Sequence, residues 1–321
     1  MFLEVPKNLS KISVLKDRAH MLAQVRAFFS DKNVLEVDCP LATTFASIDT
    51  HIDLLPALYN NQTTRYLTSS PEYGMKRLLA QGMGHIYQLA HVFRDGECGN
   101  KHNPEFMMIE WYRLDFTLQQ MSQETCNLIQ LFIGPLPMQV ISYREAFQKF
   151  LNVDYVHTTE KQLLELIQEK KIETYPGIEE DGKDALLNLL LATCIEPQLG
   201  EKALCILQHY PASQCALATK KQIEDEFVAE RFEIYYQGLE LANGYHELTD
   251  AKEQRKRFVI SNSERLKNGK KELPIDEYFL SALEKGLPNC SGVAVGFDRL
   301  MMIRHQTPFI EDVIPFSWEK A

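Results

Sequence analysis

The segment that decides the fold is residues 93–113, FRDGECGNKHNPEFMMIEWYR. The sequence predicts a strand over 86–94, which is rich in β-branched and aromatic residues, and a second strand over 106–113. With a side-chain period of two, one face of the second strand carries Phe106, Met108, Glu110 and Tyr112. Because these side chains include a carboxylate and a phenol, this face is not typical of a strand that packs only in an apolar core.

The loop between the two predicted strands is polar and rich in turn signals. It contains chain-breaking dipeptides at 95–96 and 103–104. It also carries Lys101 and His102, and Arg94 lies at its base. A cationic loop above a sheet suits a polyphosphate, because the forked donors of arginine match phosphate or carboxylate oxygens. For the loop alone, an ordinary hairpin with a solvated tip remains the alternative.

Length and composition are those of an ordinary globular protein. The 321 residues are 45% apolar and 24% charged, which allows either two domains or one large α/β or α+β domain. No apolar run approaches the roughly 20 residues that a membrane helix needs. The N-terminus lacks the basic and apolar regions of a signal peptide, so we expect a cytoplasmic protein without a membrane partner.

The cysteines and the net charge narrow the function classes. Seven cysteines, an odd number with no Cys-x-x-Cys pair, indicate reduced thiols and neither a disulfide framework nor a zinc site. The net charge of −10 disfavours nucleic acid as the main partner, because such proteins usually carry a basic face.

Three further segments carry structural predictions. The apolar spacing over 12–29 predicts an amphipathic helix capped by Ser10, and a short strand follows before Pro40. A second helix begins near residue 70, with Ser70 as N-cap and Pro71 as its first residue. Residues 141–207 predict small helices, which we interpret as an insertion beside the core.

Residues 228–250 hold the second strong signal for chemistry. Glu233 lies in a predicted strand over 230–236 and Glu240 in the segment 238–248 that follows, and both stand among apolar residues. Buried carboxylates must be paired or must hold a metal. Hard oxygen ligands that act together with substrate phosphates suit Mg²⁺.

Taken together, these segments resemble the class II aminoacyl-tRNA synthetases, most closely the lysyl branch. The helix and strand before Pro40 resemble motif 1, residues 93–113 resemble motif 2, and residues 286–300 resemble motif 3. The resemblance implies an α+β fold, a mostly antiparallel sheet flanked by helices, and a homodimer. It implies one catalytic domain over 1–321 with the insertion near 141–207, and we expect no anticodon-binding domain.

The resemblance also implies roles for individual residues. Arg94 and Arg299 are the implied catalytic residues, and Arg94 would hold the α-phosphate and the substrate carboxylate. The implied ATP-binding set is Arg94, His102, Asn103, Phe106, Glu240, Leu241, Gly296 and Arg299. The implied substrate-binding set is Ser70, Glu72, Glu110, Tyr112, Asn243, Glu247 and Ala294. The implied Mg²⁺ ligands are Glu233 and Glu240.

Five short strings carry a closer resemblance: SPEY at 70–73, HNPEF at 102–106, PASQ at 211–214, ELANG at 240–244 and CSGVA at 290–294. They resemble the shortened lysyl-tRNA synthetase paralogues that modify elongation factor P. This resemblance implies an ATP-dependent ligase that first joins (R)-β-lysine to AMP. The β-lysyl group then passes to a lysine amine of elongation factor P, with no tRNA partner. Two alternatives stay open, namely a minimal lysyl-tRNA synthetase and a non-catalytic protein that binds ATP or lysine.

Two positions depart from the lysyl pattern. Gly96 stands where the family has a glutamate that touches ATP, although Glu97 follows directly. Ala294 replaces the middle glycine of motif 3, and one added methyl group reshapes a close-packed pocket.

Overall fold

The structure, a computed structural model, describes residues 10–45 and 47–321. The described helices are α1 (Lys11–Ser30), α2 (Glu72–Leu79), α3 (Leu118–Ile133), α4 (Tyr143–Leu151), α5 (Glu160–Glu169), α6 (Gly182–Leu190), α7 (Ala251–Lys267), α8 (Glu277–Gly286) and α9 (Phe297–His305). The described strands are β1 (Leu35–Glu36), β2 (Ala42–Thr43), β3 (Pro56–Tyr59), β4 (Thr63–Leu67), β5 (Ile86–Phe93), β6 (Glu105–Leu114), β7 (Met138–Ser142), β8 (Leu204–Pro211), β9 (Lys220–Ile223), β10 (Glu226–Tyr236), β11 (Leu239–His246) and β12 (Cys290–Gly296).

The chain divides into two compact units. The first contains the described residues up to Thr117, together with Asn127–Gly134 and Glu247–Ala321. The second contains Leu118–Cys126 and Pro135–His246. Within the part of the chain that the structure describes, no helix has both the length and the apolar character required to cross a membrane. The prediction of a single catalytic domain with an insertion stays a prediction.

The first unit contains the predicted motif 2 hairpin. β5 pairs antiparallel with β6, β6 pairs antiparallel with β12, and β1 pairs parallel with β5. Strands β2, β4 and β3 form a separate small sheet in that order. The first hairpin strand ends at Phe93, so Arg94 is the first residue of the loop. The mostly antiparallel pairing, with helices before and after the strands, agrees with the predicted α+β class.

The second unit combines strands and helices around one core. β8 lies between β7, which is parallel to it, and β10, which is antiparallel. β10 also pairs antiparallel with β11 and with β9. Apolar side chains of α4, α5 and α6 pack with those of β8 and β10 in a single cluster. The helices predicted in 141–207 therefore share a core with neighbouring strands of their own unit.

Helix starts follow the predicted capping chemistry, with one shift. The hydroxyl of Ser10 accepts a hydrogen bond from the backbone N–H of Ser13, as expected of an N-cap. α2 begins at Glu72, one residue later than predicted. The hydroxyl of Ser70 still accepts the Glu72 N–H at 3.0 Å, so the capping interaction is made although the helix is shorter.

A buried ion pair connects several elements of the first unit. Arg18 of α1 pairs with Asp298 of α9, and Arg18 also donates to the carbonyl of Val313. The second oxygen of Asp298 accepts the backbone N–H of Met107 in β6 at 2.7 Å. One carboxylate therefore fixes the first helix and the start of α9 against the strand that carries Glu110.

Replacement of Asp298 by asparagine should destabilise the first unit by about 3 kcal/mol, because the Arg18 guanidinium then stays buried without its counter-charge. Urea unfolding followed by circular dichroism measures this loss. Glu311→Gln is the matched control, since Glu311 pairs with Lys320 in solvent, and it should leave the urea midpoint unchanged. An equal midpoint for the Asp298 variant and the wild type would show that the pair contributes nothing.

Candidate active site

Four titratable side chains lie close together inside the first unit, and we call them the carboxylate cluster: Glu72, Lys76, Glu110 and Glu247. Lys76 Nζ lies 2.5 Å from Glu72 Oε1 and 2.5 Å from Glu247 Oε2. The side chains of Lys76 and Glu247 are each only 1% exposed. Three carboxyl groups around one ammonium leave a site that favours further positive charge.

Local structure explains how the carboxylate cluster assembles. Glu72 and Lys76 are four residues apart on α2, so they lie on the same helix face. Glu110 lies on the face of β6 predicted from its period-two alternation. Glu247 is positioned by its backbone N–H, which donates to the carbonyl of Cys290 at 3.0 Å. The structure thus brings together three of the predicted substrate residues and adds Lys76, which the sequence analysis missed.

Glu110 has an unusual protonation equilibrium. Burial, reinforced by the negative charge of Glu72, raises the pKa of Glu110 to about 8. Its two oxygens accept hydrogen bonds from Ser70 Oγ at 2.6 Å and from the Tyr112 hydroxyl at 2.7 Å. The hydrogen bonds favour the ionised form, but burial outweighs them, so Glu110 holds a proton more readily than an exposed carboxyl group does. An arriving ammonium group would displace that proton.

Gly292 is a second residue that the sequence analysis missed. It pairs with Tyr112 across β12 and β6. A Cβ at position 292 would overlap the Glu247 carboxylate and would lie 2.6 Å from Cδ1 of Tyr112. The two side chains thus lie directly on the bare backbone of the strand. Ala294, two residues further along, packs against a small apolar cluster of Ala90, Val92 and Met108.

The predicted nucleotide residues of the first unit form a cationic group. The Arg94 guanidinium lies 5.1 Å from the centroid of the Phe106 ring. Its Nε atom is buried and has no hydrogen-bond partner among the described residues. His102 Nε2 is 2.7 Å from Nη2 of Arg299. Burial, and then the positive charge of Arg299, lower the pKa of His102, so its imidazole is neutral at pH 7.

The backbone conformation of the motif 2 loop suits the glycine at position 96, where the family has a glutamate. Its φ of +77° lies in the left-handed region, where a glutamate would be strained. Glu97 points a carboxylate oxygen to within 3.6 Å of Arg94 Nη1. Asn103 uses its amide within the protein, because it donates to the carbonyl of Glu105 and accepts the N–H of Trp318. The contact of Asn103 with ATP stays a prediction.

The predicted metal residues lie in the second unit. Glu233 is buried; one oxygen accepts from Arg231 at 2.5 Å and the other accepts from the hydroxyls of Tyr210 and Tyr235, each at 2.5 Å. Arg231 Nε also lies 3.3 Å from the Asn243 side-chain oxygen. The described residues contain no group of three or more metal-ligating side chains. Glu233 is thus a paired buried carboxylate, which is one of the two outcomes that the sequence allowed.

Comparisons with known proteins identify the family. The family model for class II tRNA synthetases (D, K and N) matches residues 2–320. A protein named elongation factor P–(R)-β-lysine ligase from Avibacterium paragallinarum is 43% identical over 320 residues, 98% of each chain. Proteins of the same name from Haemophilus influenzae (strain PittGG) and Pasteurella multocida (strain Pm70) are each 42% identical. These two matches cover 97% of this chain, and 96% and 97% of the respective relatives. The predicted family and fold class are confirmed.

Gly292→Ala should abolish binding of a lysine-type ligand, because the added methyl group displaces Tyr112 and Glu247 from the strand. The affinity for ATP should stay within about two-fold of the wild type, since the added methyl group disturbs the side chains packed against it and none of these is proposed to bind ATP. Isothermal titration with each ligand measures both effects. Gly99→Ala is the matched control, because its added methyl meets nothing within 4 Å. Unchanged lysine binding by the Gly292 variant would contradict the described geometry.

Glu110 should release a proton when a ligand with two ammonium groups binds. At pH 7 the wild type should release up to about one proton, because nearby positive charge lowers the raised pKa of Glu110. Affinity should therefore rise as the pH increases from about 6 to 8. Calorimetry in buffers of different ionisation enthalpy counts the protons. Glu110→Gln should release none; equal release by both proteins would assign the proton to another group.

Proposed function

Because the chain belongs to the family of class II tRNA synthetases (D, K and N), we propose that it is an ATP-dependent ligase for (R)-β-lysine. It adenylates (R)-β-lysine and transfers the β-lysyl group to a lysine side chain of elongation factor P. The observation that carries this proposal is the carboxylate cluster, which is buried and suited to ammonium groups. Full-length relatives that bear the name of this activity support the choice of substrate.

The carboxylate cluster binds the substrate by its amines. Glu72, Glu110 and Glu247 receive the two ammonium groups, and the substrate carboxylate points away from them. Buried carboxylates require positive charge beside them, and the ammonium groups of the ligand supply it. The remaining proposed pocket residues are Ser70, Tyr112, Asn243 and Ala294.

The cationic residues of motifs 2 and 3 bind ATP. Arg94 bridges the substrate carboxylate and the α-phosphate, and its buried Nε atom is available for such an oxygen. Arg299 and His102 contact the phosphates, while Phe106 stacks on the adenine. The remaining proposed ATP residues are Asn103, Glu240, Leu241 and Gly296.

Neither chemical step requires a nucleophile from the protein. A carboxylate oxygen of β-lysine attacks the α-phosphorus, and pyrophosphate leaves as the β-lysyl-adenylate forms. The neutral amine of the acceptor lysine then attacks the acyl carbon, AMP leaves, and the amine loses a proton to give an amide. The protein orients the reactants and neutralises developing phosphate charge.

We assign Mg²⁺ to Glu233 and Glu240. Two carboxylates suit this ion, because it usually completes its coordination with water and substrate phosphates. The pairing of Glu233 with Arg231 means that the guanidinium shares the carboxylate or moves when metal and nucleotide enter. The bound ion would neutralise charge on the triphosphate.

The proposal also covers assembly and location. The protein acts as a homodimer through its motif 1 elements, as the family resemblance implies. It acts in the cytoplasm, where its seven free cysteines remain reduced and its protein substrate is present. Transfer goes to elongation factor P and not to tRNA. The names of the relatives favour neither the tRNA-charging alternative nor the non-catalytic one.

Glu247→Ala should raise the KM for (R)-β-lysine at least about 100-fold, because it removes a buried charge partner of the substrate amine. The affinity for ATP should stay within about two-fold of the wild type, since the residues proposed to bind the amines differ from those proposed to bind ATP. Pyrophosphate exchange gives the KM, and calorimetry gives the ATP affinity. Glu311→Gln serves as the exposed control. Parallel loss of both ligands would remove Glu247 from the amine site.

The proposed function is tested by ATP–pyrophosphate exchange with (R)-β-lysine and with L-α-lysine, followed by addition of elongation factor P or lysine tRNA. We expect exchange with (R)-β-lysine and transfer of label to the protein. Exchange with L-α-lysine followed by transfer to tRNA would identify a minimal synthetase. ATP binding without exchange for either amino acid would identify a non-catalytic binding protein.

A further inference from the structure

Lys76 occupies an unexpected place for a lysine. Its side chain is 1% exposed, and its ammonium contacts two carboxylates that the proposed function gives to the substrate amines. The rings of Tyr112 and Phe279 each have their centroid 6.0 Å from Nζ. An ammonium group is costly to bury, so a lysine in such surroundings requires negative charge beside it. Glu72 and Glu247 supply that charge to Lys76.

We propose that Lys76 is a positioning residue that sets the charge of the amine pocket. Its ammonium holds the carboxylates of Glu72 and Glu247 in place and cancels one of the three negative charges that the carboxylate cluster can carry. The pocket is then balanced by a substrate that brings two ammonium groups. This inference rests on the proposed function, since it explains how the same site selects a diamino acid.

The charge count follows from the geometry. Glu72, Glu110 and Glu247 can supply three negative charges and Lys76 supplies one positive charge, which leaves two to be neutralised. A substrate with a single ammonium leaves one buried carboxylate uncompensated, which then takes up a proton or weakens binding. A substrate with two ammonium groups leaves none. Lys76 therefore contributes to selectivity although it need not contact the reacting atoms.

The charges around Lys76 support the same assignment. Burial lowers the pKa of Lys76, but the charges of Glu247 and Glu72 outweigh burial and raise it above its ordinary value. Other titratable groups that interact with the cluster are Glu110 and Tyr112 from β6, Cys290 from β12, Tyr73 from α2, and Cys39. Lys76 is one of the influences that lower the pKa of Glu110. Loss of Lys76 therefore makes ionisation of Glu110 harder.

The test uses Lys76→Met, which removes the charged Nζ group and keeps an unbranched apolar side chain. (R)-β-lysine is titrated into each protein saturated with a non-hydrolysable ATP analogue, from pH 6 to 8.5, and the analogue is titrated separately. We expect the variant to bind (R)-β-lysine about 100-fold more weakly at pH 7, because Glu72 and Glu247 lose the buried cation that holds their carboxylates in place. Its pH profile should shift to higher pH, and its affinity for the analogue should stay unchanged. Arg77→Met, on the neighbouring residue, is the matched control and should bind both ligands like the wild type.

A charge-compensated variant separates this role from a merely structural one. Lys76→Met combined with Glu110→Gln leaves two negative charges, the same number as the wild-type cluster with all three carboxyl groups ionised. It should therefore recover at least about ten-fold of the affinity that the single variant loses at the high-pH end of the titration, where Glu110 ionises. If Lys76→Met alone does not fold, the double variant is compared with Glu110→Gln, and we expect it to bind (R)-β-lysine at least as tightly. Strictly additive losses, or parallel loss of the ATP analogue, would overturn the inference.

The outcomes also distinguish this inference from the proposed function. If the wild type binds (R)-β-lysine and Lys76→Met binds it equally well, Lys76 has no such role and the proposed function stands. If the wild type binds (R)-β-lysine but transfers nothing to elongation factor P, the proposed function fails and the Lys76 comparison is still decisive. If the wild type binds no diamino acid, both are overturned.

Discussion

The constraint on which the site depends is charge balance in a volume that water does not reach. Glu110, Glu247 and Lys76 are almost completely buried, and Glu72 is mostly so. Charged groups removed from water must be paired or must change their protonation. The protein does both: Lys76 pairs with two carboxylates, and burial raises the pKa of Glu110. The same two features leave the pocket ready for a ligand that carries two positive charges.

The rest of the first unit keeps these groups in place. The Arg18–Asp298 pair fixes α1 and α9 against β6, the strand that carries Glu110 and Tyr112. Gly292 lets Tyr112 and Glu247 lie against the backbone of β12. The cap at Ser70 begins α2 so that Glu72 and Lys76 share one face, and its hydroxyl also donates to Glu110. Stability and specificity are therefore connected through a few polar contacts.

Local patterns predicted much of this arrangement. The motif 2 hairpin and α1 with its Ser10 cap depend on periodicity, capping and turn residues that act over short distances. Period-two alternation placed Glu110 and Tyr112 on one face, and the hydrogen bond between them agrees with that placement. The family resemblance supplied the candidate functions, which no spacing rule could give.

Tertiary pairings account for what the sequence did not predict. Lys76 is an ordinary helix residue until Glu247, far along the chain, is placed beside it, although its i,i+4 spacing from Glu72 was a signal. The role of Gly292 could not be predicted from the sequence, because it depends on the side chains of Tyr112 and Glu247 that pack over it. For Glu233, the sequence could not decide between a metal and a paired partner, because Arg231 and two tyrosines had to be placed first.

The most direct measurement is a crystal structure of the protein with a non-hydrolysable β-lysyl-adenylate analogue. Our account predicts that both ammonium groups lie within hydrogen-bonding distance of Glu72, Glu110 or Glu247, with the acyl end at Arg94. It also predicts that Lys76 stays between Glu72 and Glu247. A ligand bound in the reverse direction, or a Lys76 side chain displaced so that a substrate ammonium takes its place, would contradict the account.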